Sequence, residues 1–92
     1  MSTPTRQDAI KKLGIFGGKK GAEAVVGIYK GEADREVRAA ALQALFVQGN
    51  ASALIEVART EKDPDLKKRA VAHLSHMGSK EATEFLIEIL NQ

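Results

Sequence analysis

Asp34–Gly49 reads DREVRAAALQALFVQG, and Pro64–Gly78 reads PDLKKRAVAHLSHMG. Setting Arg38, Ala41, Leu42, Leu45 and Gly49 over Lys67, Ala70, Val71, Leu74 and Gly78 gives a constant offset of 29. Upstream, Arg6, Ala9, Ile10, Leu13 and Gly17 repeat the pattern 32 residues before the middle copy. The small, aliphatic and leucine positions fall on one stripe of a 3.6-residue helix, so each copy predicts an amphipathic helix ended by its glycine. Units repeated at such a spacing cannot each cover their own apolar face, and they bury it against one another.

A second line follows each glycine: AVVGIY from Ala24, ALIEVA from Ala53 and FLIEIL from Phe85. It aligns Val25, Leu54 and Leu86, and it predicts a second helix in each pair. The middle copy reaches this line three residues sooner than the others, which predicts the tightest turn there. Six helices are expected, near 4–16, 20–30, 35–48, 51–60, 64–77 and 80–90, with no strand. Asp34 and Asp63 stand where an N-cap carboxylate accepts free backbone N–H groups, and Pro64 follows where a missing N–H costs nothing. Asn50, and Ser2 or Thr3, are expected to cap in the same way. Ala41, Leu42, Leu45, Ala70, Val71 and Leu74 form the expected core. Gly14 and Gly27 are expected to interrupt the first two helices.

The 92 residues suit one small domain, 1–92, divided into units of about 3–31, 32–60 and 61–92. With no cysteine, disulfides, thiolate metal sites and cysteine nucleophiles are excluded together. No apolar run approaches the roughly 20 residues of a membrane span, and MSTPTRQDAIKK lacks the apolar stretch of a signal peptide. A soluble protein is expected, cytoplasmic by default, or periplasmic or secreted had a signal peptide been removed. The net charge is +2, but residues 1–31 carry six basic and two acidic side chains, whereas residues 32–92 carry eight and ten. One end is therefore basic.

The line DPDLKKRAVAHLSHMGSKEATEFLIEIL, with Asp63, Pro64, Ala70, Leu74, Gly78, Ala82 and Leu86 in place, resembles the HEAT-like repeat family. The similarity is to the short bacterial type found in phycobilin lyase subunits, and it covers nearly the whole chain. It implies an all-α solenoid of three helical hairpins, a superhelix with the first helices on its convex side and the second helices on its concave side. Such concave surfaces commonly grip another protein. The outward positions there are Glu23, Gly27 and Lys30; Ser52, Glu56 and Arg59; Glu84, Glu88 and Asn91.

Other constellations carry less. His73 and His76 are expected as surface residues rather than metal ligands, because they fall on different sides of their helix. Glu81, Glu84 and Glu88 form an acidic row with nothing to raise a carboxyl pKa as general-acid work requires. FGGKKGAEA lacks the full phosphate-loop pattern and a preceding strand, and it is expected to be a flexible turn. Arg6, Arg38 and Lys67 recur at one position, where a ladder could follow a nucleic-acid backbone. Pairing with acids at the turns, such as Asp34, Glu36, Asp63 or Asp65, is the simpler expectation.

These features predict a non-catalytic protein–protein interaction or scaffolding module, without cofactor or membrane partner, or a segment of a longer solenoid. The resemblance offers a phycobilin lyase-like subunit as an alternative, and the basic first unit offers a nucleic-acid-binding domain similar to the HEAT-like DNA glycosylases. Phe85 and Ile87 widen the apolar face of the last helix, which predicts a contact there with a further repeat or a second copy.

Overall fold

The computed structural model describes residues 3–92, and among these all regular structure is helical. The helices are α1 (Thr3–Phe16), α2 (Gly18–Gly31), α3 (Arg35–Val47), α4 (Ala51–Thr60), α5 (Pro64–Ser75) and α6 (Lys80–Leu90). Each lies within three residues of its expected bounds. Asp34 caps α3 by accepting from the N–H groups of Glu36 and Val37, and Asp63 caps α5 through Asp65 and Leu66. Pro64 opens α5, Asn50 caps α4 through Ala53, and Ser79 caps α6 through Ala82. Ser2 lies outside the described residues, and Thr3 is already helical.

Helices α1, α3 and α5 contact one another in chain order, and α4 contacts α6. The molecule extends 43 × 26 × 17 Å around a single apolar core. Ala41, Leu42, Leu45, Ala70 and Leu74 are buried as expected, but Val71 is only partly buried and lines a groove with Arg59 and Ile89.

The turns depart from expectation. Three residues separate α3 from α4 and four separate α5 from α6, yet only Gly17 separates α1 from α2. The tightest turn is thus in the first pair, and FGGKKGAEA is largely helix rather than a flexible loop. Gly18 turns the chain at once with φ +59°, and the additional residues lengthen α2 to 14 against 10 in α4. A Cβ on Gly17 or Gly21 would stand 2.5 or 2.6 Å from the Leu13 carbonyl oxygen, so only bare backbone fits. Of the three expected terminating glycines only Gly49 takes a left-handed conformation, with φ +71°. Its N–H donates to Phe46 and that of Asn50 to Leu45, the paired bonds of a Schellman ending.

Neither Gly14 nor Gly27 interrupts its helix. Gly14 is buried where α1 crosses α3, and a Cβ there would lie 2.9 Å from that of Ala44. The last helix is also rotated from its expected register. Phe85, 5 % exposed, takes the inward place that alignment gave to Leu86, which is half-buried.

Candidate functional site

Three surfaces matter: the outer face of the even-numbered helices, the corners that join one pair to the next, and the edge formed by the last pair. On the first, Glu23, Gly27, Lys30, Ser52, Glu56, Arg59, Glu84, Glu88 and Asn91 are all exposed, as expected. Two ion pairs cross this strip, Lys30 to Glu56 at 3.2 Å and Arg59 to Glu88 at 2.6 Å. The guanidinium of Arg59 also lies 4.9 Å from the Phe85 ring centroid and roofs that buried ring. The hydrogen bond from Arg59 holds the Glu88 carboxyl below its ordinary range, the opposite of what proton donation near neutrality needs. Solvent screens exposed pairs of this kind, so they orient the strip more than they stabilise it.

The corners correct the expected pairing of the basic ladder. Arg6 and Arg38 do not pair with Asp34, Glu36, Asp63 or Asp65; they pair with Glu32 and Glu61. The aspartates are engaged elsewhere: both Asp34 and Asp63 cap helices, Arg35 pairs with Asp63 at 2.6 Å, and Arg69 pairs with Asp65 at 3.1 Å. Glu32 ends α2 and Glu61 ends α4, and each also accepts the N–H of the aspartate two residues on, at 3.3 and 3.0 Å. Each corner is therefore a Glu-x-Asp unit in which the glutamate holds the arginine and the aspartate caps the next helix. Its signal in the sequence is the recurrence of Glu32/Asp34 at Glu61/Asp63, again 29 residues apart. Lys67, at the third ladder position, has no ion pair among the described residues.

The second corner is the more elaborate. Glu61 accepts the Tyr29 hydroxyl as well as Arg38, whose guanidinium lies 4.6 Å from the Tyr29 ring centroid. Burial, then the bond to Glu61, pushes the Tyr29 hydroxyl pKa well above its ordinary value. Burial alone would raise Glu61, but the hydroxyl of Tyr29, the backbone N–H of Asp63 and the charge of Arg38 outweigh it and hold the carboxyl low. At the first corner the hydrogen bond from Arg6 lowers Glu32 in the same direction.

At the edge, Phe85 belongs to the core and is only 5 % exposed, while Ile87 at 54 % and Leu90 at 83 % are the most open apolar residues of α6. Val71, Lys67, Arg59, Phe85 and Ile89 line a groove of about 350 Å³. His76 is exposed, with Nδ1 2.8 Å from the Ala72 carbonyl. His73 is not a plain surface residue: it is half-buried and stacks on Phe46 with ring centroids 5.1 Å apart. Burial is the main cause that lowers its pKa. Among the described residues no group of three His, Asp or Glu is placed to hold a metal, and no helix is long and apolar enough to cross a membrane.

Compared with known proteins, the chain matches no family model, no curated protein and no solved structure.

Proposed function

We propose that the chain is an α-solenoid of three HEAT-like units that binds other proteins without catalysing a reaction, and that its last unit is a docking edge for a helical neighbour. One observation carries the reading: a position repeated along the chain is covered where another pair follows and open where none does. Ile10 and Leu42 are 3 % and 0 % exposed, while Val71 at the same place is only partly buried and lines an open groove with Ile89, on the helix that also exposes Ile87 and Leu90. At the opposite end Ala9 is exposed, although Ala41 and Ala70 are fully buried. Repeat arrays with interior-type residues at an end require a cap, a further repeat or a partner there. The strip on the even-numbered helices is a weaker candidate, since two of its basic residues are already paired and it presents no exposed aromatic anchor.

Sedimentation velocity over a concentration series tests the edge. The parent chain is expected to self-associate through it, and Ile87→Lys with Leu90→Glu is expected to sediment as a monomer. Two monomeric proteins of equal solubility at high concentration would make the edge a finished cap and end this reading.

A further inference from the structure

A different surface, at the basic end, lies outside that reading. Ile15, Phe16 and Val47 are 48, 79 and 49 % exposed, the only large apolar side chains so open apart from Ile87 and Leu90 among the described residues. Ile15 and Val47 form a ridge shared by two grooves. One, of about 290 Å³, has Ala40 and Ala44 in its lining and carries Lys11 and Gln43. The other, of about 470 Å³, carries Lys19. No carboxylate lines either groove.

The cations here are lysines, which, like Lys62, Lys67, Lys68 and Lys80 elsewhere, make no ion pair among the described residues. All five arginines are engaged in ion pairs, whereas Lys11, Lys12, Lys19 and Lys20 have no ion-pair partner among the described residues. The arginines fasten the fold; these lysines do not.

We propose that the Ile15–Val47 ridge and its two grooves receive an acidic amphipathic helix from a partner protein. The apolar stripe of such a helix lies on the ridge and on the small side chains between α1 and α3, and its carboxylates meet the lysines on both flanks. The dimensions suit it, since Gln7 to Ile15 spans about 12 Å at about 1.5 Å per residue, a little over two turns of a guest helix. Concavity favours a helix over a bilayer: a lipid surface meets protruding side chains, while two grooves beside a ridge are filled by side chains that project from a rod. The donor chemistry agrees, because ammonium groups and the exposed Gln43 amide complement carboxylate oxygens.

Fluorescence anisotropy tests the proposal with a labelled synthetic peptide of about 14 residues, long enough for about four turns. It has leucines at i, i+3, i+4 and i+7 and glutamates on its other faces. Saturable binding that weakens with added salt is expected, as the screening length shortens. Lys11→Glu with Lys19→Glu should weaken it at least about tenfold, and Ile15→Ser with Val47→Ser comparably. Lys62→Glu with Lys68→Glu makes the same change in net charge at a distance and should leave affinity unchanged. The Ile87→Lys, Leu90→Glu variant should bind the peptide like the parent, which separates this surface from the docking edge. Absence of peptide binding, or equal weakening by the two charge-reversed pairs, overturns the proposal. So does cosedimentation of the protein with phosphatidylserine vesicles, which would assign the patch to a lipid surface.

Discussion

Helix α3 packs against α1 on one side and α5 on the other, and the same register position is filled differently in the two contacts. Between α1 and α3 it holds Gly14 against Ala44, close enough that a single added methyl would collide at 2.9 Å. Between α3 and α5 it holds Phe46 stacked on His73. Around both contacts the shared leucines face the core, Leu45 and Leu74 fully buried and Leu13 partly so. The repeat thus prescribes a stripe of aliphatic residues and leaves helix separation to whichever pair meets beside it. Small residues let backbones approach, and aromatic ones keep them apart.

The strongest way to break that account is through the shared stripe. Leu45→Ala and Leu74→Ala should each cost about 2–5 kcal/mol in denaturant unfolding, whereas Leu13→Ala at the half-buried first copy should cost clearly less. Equal losses at all three would show that the end copies are covered as well as the middle one. At the variable position, Gly14→Val should cost about 1–3 kcal/mol by overpacking against Ala44. Gly27→Ala is its counterpart in open space: nothing lies within 4 Å, so replacing a helical glycine should add about 0.4–1 kcal/mol. A gain at both sites would mean that α1 and α3 are not in close contact.

Acid sharpens the comparison further, because only the α3/α5 contact contains a histidine. The folded state lowers the His73 pKa from its ordinary 6.5, so the unfolded chain takes up the proton more readily. Its contribution is present above 6.5 and declines as pH falls through that value, until the lowered folded-state value is passed. The carboxyls of Glu32 and Glu61 are also lowered, from 4.5; their contribution holds above 4.5 and is lost as pH falls through their folded values. Thermal midpoints measured across pH should therefore show two declines, and His73→Phe should remove only the upper one.

The helices and their caps were legible in the sequence because they depend on neighbours along the chain. An Asp or Asn with free N–H groups two and three residues ahead is enough to place Asp34, Asn50 and Asp63. What was not legible depends on distance in space. Adjacent glycines fit a loose loop or a sharp turn equally well, and only the approach of the Leu13 carbonyl to Gly17 and Gly21 decides between them. In FLIEIL, apolar residues stand side by side, so helical periodicity alone does not choose between Phe85 and Leu86 for the inward place. Arginine side chains are long enough to reach several acids at a turn, and capping does not decide between them, since Asp63 caps α5 and still accepts Arg35; the choice of Glu32 and Glu61 for Arg6 and Arg38 depends on where the corners stand in space. The ambiguity in FLIEIL also affects the edge: in the observed register the Phe85 ring lies under Arg59 and Leu90 is exposed.

Glu61 gathers a phenol from α2, a guanidinium from α3 and a backbone N–H from the corner before α5. Those groups come from three successive segments, so the cluster cannot close until all three have docked. A contact that closes only after the main barrier to folding restrains escape rather than speeding arrival. Glu61→Ala should accordingly steepen the loss of structure in stopped-flow unfolding while leaving the refolding limb nearly where it was. The second corner would then act as a latch, setting how long the assembled chain persists rather than how quickly it forms.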